Sequence, residues 1–255
     1  MEERFLKNYN VDSGGKLEVK NINGHITITG WEKDTVEVGA LKKISQGALS
    51  SLINAFGSPI NEKEEFDNVS IDVKNDRNNI YVETRYLKQD SKVSVDYEIK
   101  VPLNVLVGTV KNMNGRISLE NTLGDSNLET LNGKIEVNNA NGTIKARSGN
   151  GGISICKTAG ISSLETSNGL IEADVSGIKN DIDLKSSNGK IIINMPKNID
   201  AEIELKTSVG KISVSGFELE KSNSSGNRFE GRIGKGGHRL RAVTSVGKVE
   251  LNCKG

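Results

Sequence analysis

Between Gly115 and Gly169 the chain alternates apolar or small residues with polar ones in short bursts, each cut by a glycine nine residues after the last. The glycines are Gly115, Gly124, Gly133, Gly142, Gly151, Gly160 and Gly169, and the register loosens through Gly177, Gly189 and Gly210. The second and fourth residues after them are mostly apolar or small: Ile117 and Leu119, Ser126 and Leu128, Ile135 and Val137, Ile144 and Ala146, Ile153 and Ile155, Ser162 and Leu164, Ile171 and Ala173. Period-two alternation rich in Ile and Val and broken by Asn-Gly predicts half-buried strands joined by sharp corners. A helix would scatter the same residues around its circumference.

The nine-residue phrase comes in two alternating versions, so the unit is eighteen residues. One version places a hydroxyl three residues before the glycine (Thr130, Ser148, Thr166, Ser186) and an Asn directly before it (Asn132, Asn150, Asn168, Asn188). The later copies "TSVGKISV" and "TSVGKVEL" carry Val209 and Val246 at the Asn position. Gly, and less readily Asn, tolerates positive φ at a corner, and stacked Asn side chains can bond along a solenoid axis. Eighteen-residue coils put equivalent positions on adjacent strands about 4.8 Å apart. Lys111, Glu129, Arg147, Glu165, Lys185 and Lys206 form one such column, and the first five alternate in sign. Opposite charges on neighbouring strands favour in-register stacking. The expected fold is therefore all-β, a single-chain β-solenoid (β-helix) with coils of about 18 residues.

Earlier segments follow the pattern less tightly. "GGKLEVKNINGHITITGWEKDTVEV" reads as a first coil, using Leu17, Val19, Ile26, Ile28, Val36 and Val38. The alternation then breaks, and "SQGALSSLINAFGSP" predicts a short amphipathic helical insertion near residues 45–57. Longer strands, antiparallel in part, follow over "NVSIDVKNDRNNIYVETRYL" and "SKVSVDYEIKVPLNVLV". Towards the end "ELEKSNSSGNRFEGRIGKGGHRL" reads as a polar excursion before a closing turn, "TSVGKVELNC". The expected organisation is one continuous domain, with an N-terminal cap and first coils over 1–110 and regular coils with a C-terminal cap over 111–255.

Composition agrees with a turn-rich repeat: 4% of residues are aromatic, while 28 are Gly and 3 Pro. The net charge of +1, from 34 basic and 33 acidic residues, makes no electrostatic case for nucleic acid or an anionic membrane. Cys156 and Cys253 match no metal or redox spacing and read as ordinary thiols. No stretch has the apolar run of a signal peptide or a membrane span, so the chain as written is expected in the cytoplasm. The cell envelope is reached through a partner, or directly if the chain is a trimmed form.

The segments "VKNINGHITITGW" and "VSVDYEIKVP", with the succession "TLNGKIEV", "TSNGLIEA", "SSNGKIII" and "TSVGKISV", carry a resemblance over nearly the whole chain. They resemble the "putative adhesin" family of bacterial and archaeal β-strand-repeat proteins, a domain of unknown function. The resemblance implies a solenoid fold and brings no catalytic residues with it.

The chemistry inventory is thin. A solenoid hydrolase or lyase would need an acid cluster on one outer face, and Asp174, Asp181 and Asp183 with Lys185 are the candidates. Asp181 and Asp183 alternate outward on one strand beside Lys185, which reads as a solvated face. His25 and His238 are the only histidines and stand near opposite ends of the chain, so no His-based triad or multi-His metal site is expected. A calcium β-roll needs carboxylates in its turns, whereas these turns continue with Arg116, Lys134, Thr143 or Lys190, and only Gly124 is followed by an acid, Asp125. A mostly basic column (Arg116, Lys134, Gly152, Leu170, Lys190, Lys211, Lys248) is compensated by Glu136, Glu172 and Glu250. No catalytic, cofactor-binding or metal-ligating residue is assigned. The expectation is a non-catalytic, adhesin-like module, monomeric or a small oligomer, that binds a protein or polysaccharide near the cell envelope without membrane insertion. A polymerising intracellular scaffold and a carbohydrate-active enzyme are the alternatives.

Overall fold

The computed structural model describes residues 2–44, 62–88, 91–158 and 160–254. The helix expected near residues 45–57 lies outside them. Chain order begins with β1 (Glu2–Asn10), β2 (Lys16–Lys20), β3 (Ile26–Trp31) and β4 (Thr35–Ile44), then α1 (Glu62–Asp67), β5 (Val69–Asp76), β6 (Asn79–Tyr86) and β7 (Val93–Pro102). Five regular coils follow: β8 (Leu106–Asn114) with β9 (Ile117–Glu120), β10 (Ser126–Asn132) with β11 (Ile135–Asn138), β12 (Thr143–Asn150) with β13 (Ile153–Thr158), β14 (Gly160–Asn168) with β15 (Ile171–Val175), and β16 (Ile182–Asn188) with β17 (Ile191–Pro196). The chain ends with β18 (Ala201–Val209), β19 (Ile212–Ser215), β20 (Leu219–Ser225), β21 (Arg228–Ile233), β22 (Arg239–Val246) and β23 (Val249–Lys254).

Among the described residues the strands form an 11-stranded and a 12-stranded sheet, and each regular coil gives one strand to each. Successive coils pair in parallel, the first four at the eighteen-residue offset, with Glu129 beside Arg147 and Ile135 beside Ile117 and Ile153, and the fifth two residues later, with Ile191 beside Ile171. Inward positions stack into apolar columns: Ile117, Ile135, Ile153, Ile171 and Ile191 from one sheet, and Val110, Leu128, Ala146, Leu164 and Leu184 from the other, are each at most 1% exposed. Every fully buried Ile or Leu contributes roughly 1.5–3 kcal/mol, so aliphatic columns supply most of the core in a chain with few aromatic residues.

The corner between the two strands of each coil is held three ways. The glycine N–H donates to the next coil's backbone carbonyl, as from Gly133 to Asn150 (2.9 Å) and from Gly151 to Asn168 (2.9 Å). The buried hydroxyl donates back to the previous coil's glycine carbonyl: Ser148 to Gly133 (2.9 Å), Thr166 to Gly151 (2.8 Å), Thr244 to Gly189 (3.0 Å), Thr207 to Gly247 (2.9 Å). Asn side chains form a ladder in which Asn114, Asn132, Asn150, Asn168 and Asn188 each donate to the Asn before, starting from Asn23. Val246 and Val209 end that ladder yet keep the backbone bond, since Gly189 N–H donates to Val246 and Gly247 N–H to Val209.

Positive φ explains only some of the corner glycines. Gly115, Gly151 and Gly247 are at φ 138°, 154° and 148°, but Gly133, Gly169, Gly189 and Gly210 lie outside the left-handed region. Close stacking explains them all: a Cβ on Gly169 would sit 2.3 Å from the Gly151 carbonyl oxygen, and one on Gly189 1.8 Å from that of Gly169.

Two expectations about order are corrected. The segment read as the first coil, β2 with β3, is second in space, because β6 with β7 stacks outside it. The closing segment, β22 with β23, is inserted between β16–β17 and β18–β19. Charge accounts for the second insertion. Stacked directly on β16 in the same corner register, β18 would set Glu204 against Asp183 and Lys206 against Lys185, and like charges directly opposite are destabilising. With β22 between them, Arg241 reaches Asp183 (3.3 Å) and Glu204 (3.5 Å), and Val243 separates the two lysines. The polar excursion also proves to be ordered: β20 and β21 pair antiparallel and close the stack against β18. At the other end β1, β4 and β7 pair antiparallel in sequence, and β5 pairs antiparallel with β6.

The hydroxyl column begins with exceptions. Thr84 shares a 2.6 Å hydrogen bond with the Tyr97 hydroxyl, whose ionisation burial pushes well above the usual phenol range. The next two positions are Asn21 and Asn112; their amides donate to corner carbonyls, Asn112 to Gly24 at 2.7 Å, while both side-chain oxygens are buried without a hydrogen-bond partner. Asn112→Thr is therefore expected to keep a donor for Gly24 and remove the orphaned acceptor, raising stability by about 1 kcal/mol. Gly169→Ala is expected to destabilise by about 1–3 kcal/mol through overpacking. Gly177→Ala, where a Cβ meets nothing within 4 Å, is expected to be near neutral. Urea midpoints at unchanged m-value measure all three.

Candidate binding surface

The outward side of the 12-stranded sheet carries the predicted charge column. Lys111, Glu129, Arg147, Glu165 and Lys185 stand on neighbouring strands in that order, and Lys20, outside the predicted column, adds a like charge beside Lys111. Lys111 contacts Glu129 at 2.8 Å and Arg147 contacts Glu165 at 2.5 Å. The hydrogen bond from Lys111, with a further one from Asn127, holds the Glu129 carboxyl below its ordinary range despite partial desolvation. Lys206 was expected next to Lys185 but is one strand removed, with Val243 between.

Beside this column, one step nearer the corner, stands a second outward row that the sequence pattern did not single out. Its residues immediately precede the corner Asn: Ile22, Met113 and Leu131, then Gly149, Ser167 and Ser187. Met113 and Leu131 are 47% and 51% exposed. The two rows wall a groove of about 600 Å³ that runs from Lys20 past Arg147 to Glu165 and includes Ile22, Met113 and Leu131. The signal was present in the sequence, since three apolar residues recur at one repeat position before giving way to Gly and Ser.

The mostly basic column is neutralised as expected in part. Glu136 pairs with Lys134 (2.6 Å) and Arg116 (3.4 Å), and Glu250 pairs with Lys190 (2.6 Å). No ion pair is formed by Glu172 among the described residues.

The candidate catalytic acids do not converge. Asp174 lies on β15 in the 11-stranded sheet, where it binds Lys254 (2.5 Å) and Asn194 (2.9 Å); these bonds hold its carboxyl below the usual range against desolvation. Asp183 lies in the other sheet, engaged by Lys185 and Arg241. Asp181 precedes β16, accepts the Arg239 N–H (2.9 Å) and lies 3.7 Å from His238. His25 is placed apart from these groups, with Nδ1 accepting the Arg116 N–H at 3.1 Å. Cys156 is on β13 and Cys253 on β23, both free thiols. Asp125, the one acid following a corner glycine, accepts the Thr143 N–H (2.7 Å) and so caps the next coil. Among the described residues no group of three or more His, Cys, Asp or Glu side chains could hold a metal ion, and no helix is long and apolar enough to cross a membrane.

A family model described as Toastrack DUF4097 matches residues 7–252. Three solved structures align along the chain at low identity. A "putative cell adhesion protein" from Clostridium sporogenes is 12% identical, with 100% of both chains covered and a TM-score of 0.38. A "putative adhesin" from Bacteroides fragilis is 14% identical over 99% of this chain and 97% of the other, with a TM-score of 0.40. A "putative lipid binding protein" from Parabacteroides distasonis is 10% identical over 99% and 97%, with a TM-score of 0.37. None superposes closely enough for its description to be transferred. No curated protein sequence matches the chain.

The charge column is expected to be a weak, salt-sensitive clamp. A double-mutant cycle on Arg147→Met and Glu165→Met in urea should return a coupling of about 0.2–1 kcal/mol that falls as salt is raised. Glu129 has a folded-state pKa below its ordinary 4.5, so its contribution is complete above that value and lost as pH falls through the lower one. Glu129→Gln should accordingly flatten the acid limb of the stability profile without changing the neutral limb's shape.

Proposed function

The chain belongs to the Toastrack DUF4097 family, and on that premise we propose that it is a non-catalytic, adhesin-like module that binds a protein partner at the cell envelope. The observation that carries this reading is the groove with Ile22, Met113 and Leu131 on one wall and paired charges on the other. Its described lining has no aromatic ring to stack on a sugar and offers Met, Leu and Ile side chains. Met in particular adapts its shape to a partner's apolar side chains. The paired charges form a polar rim that sets register more than affinity.

Rigidity supports the same role. A parallel stack of coils holds the groove walls on strands rather than loops, so little conformational entropy is lost when a partner docks. The antiparallel strands at both ends disfavour coil-on-coil polymerisation. The acids available for hydrolysis are engaged by cations or backbone, and Asp174 sits on a different sheet from Asp181 and Asp183.

The test begins with a photo-crosslinking residue at Leu131 in native cells and identification of the captured partner by mass spectrometry. The purified partner should then bind the parent, and Met113→Asp with Leu131→Asp should weaken binding by roughly tenfold or more while leaving the melting profile intact. Equal binding by parent and variant removes the groove from the mechanism. Polysaccharide cleavage by the parent that disappears in Asp181→Asn with Asp183→Asn would establish an enzyme instead.

A further inference from the structure

Beyond β3 the 11-stranded sheet adds β7, β4 and β1, whereas beyond β2 the 12-stranded sheet adds only β6 and β5. One sheet thus runs a strand further than the other, and its last strand, β1, has no second strand neighbour among the described residues. β1 pairs with β4 without interruption from Glu2 opposite Lys43 to Asn10 opposite Thr35. It is exposed at every residue except Phe5 and Tyr9, which are half-buried against the core.

The other three sheet edges are poorer templates. β19 has four residues, β20 shifts register between Leu219 and Lys221, and β5 is exposed only at Lys74, Asn75 and Asp76. A long, regular edge presents a row of backbone donors and acceptors that another strand can satisfy.

We propose that β1 is a homodimer edge, at which a second copy of this chain adds its own β1 antiparallel across a two-fold axis at Phe5. The charges select that register. Directly opposite residues then have numbers summing to ten, so Glu3 faces Lys7 of the other copy, and Lys7 faces its Glu3. Arg4 lies opposite Leu6, which is 65% exposed in the single copy, and its aliphatic stem covers that side chain. Phe5 meets Phe5. Lys7 has no carboxylate partner among the described residues and rests 5.3 Å from the Phe5 ring centroid. Glu3 lies on the same side of the strand and holds Lys42 at 3.0 Å. Pairing brings a second cation to that carboxylate and a first carboxylate to Lys7. Alone, Lys7 at an edge opposes unspecific strand addition; with Glu3 opposite it admits one register and one partner. The interface is isologous, so growth stops at two.

Sedimentation velocity across a concentration series tests the proposal. The parent should pass from monomer to dimer and no further. Lys7→Glu, which leaves Lys42 its partner, places Glu opposite Glu3 and should weaken the dimer at least about tenfold. Glu3→Lys places Lys opposite Lys7 and should do the same. An equimolar mixture of the two variants restores both opposite-charge pairs and should dimerise like the parent. A parent that remains monomeric, a mixture that does not recover, or open-ended growth would each overturn the proposal.

Discussion

The structure depends on a single steric condition: at the inner corner of each coil, the carbonyl of one glycine sits where the Cβ of the next coil's residue would be. A Cβ on Gly133 would lie 2.0 Å from the Gly115 oxygen, and the same holds down the stack to Gly247 over Gly189. That contact lets neighbouring corners approach to the spacing of strands in a sheet. The spacing in turn allows the backbone bond, the hydroxyl bond and the Asn ladder to form at the same place. Flat faces and in-register columns follow, because a coil fixed at its corner cannot slide against its neighbour.

The same condition explains which residues vary. The position before the glycine faces solvent, so Asn gives way to Val246 and Val209 without loss of the backbone bond. The hydroxyl position faces inward and must deliver a hydrogen to the carbonyl that the glycine exposes. Thr and Ser do this with nothing left over, whereas Asn21 and Asn112 deliver the hydrogen and strand an oxygen. The outermost row is free of both demands, and there the chain changes chemistry from Ile22, Met113 and Leu131 to Gly149 and Ser167.

The repeat, the eighteen-residue coil and the charge register were legible in the sequence because each rests on an interaction between equivalent positions of successive coils. Coil order was not, because the phrase Thr-Ser-Val-Gly-Lys occurs at both Thr207 and Thr244, and either copy satisfies the corner at Gly189. The clashes of Glu204 with Asp183 and Lys206 with Lys185, read across non-adjacent coils, decide between them. β20 and β21 were missed because Phe229 and Ile233, the side chains β21 buries, stand alone among polar neighbours, and β20 is held by its ladder to β21. The groove was hidden for a different reason: its apolar residues lie on the outward face, where the period-two pattern assigns polar ones.

The inserted C-terminal coil gives the molecule a mechanical asymmetry. β23 is bonded along its length to β17 and over four residues to β19, and β22 is held between β16 and β18. Tension applied at Lys254 must shear two ladders at once and drag the coil from between its neighbours. Tension applied at Glu2 of a single copy meets, among the described residues, one ladder, that of β1 with β4. A module loaded through its C-terminal side would hold its stack under forces that unzip it from the other side.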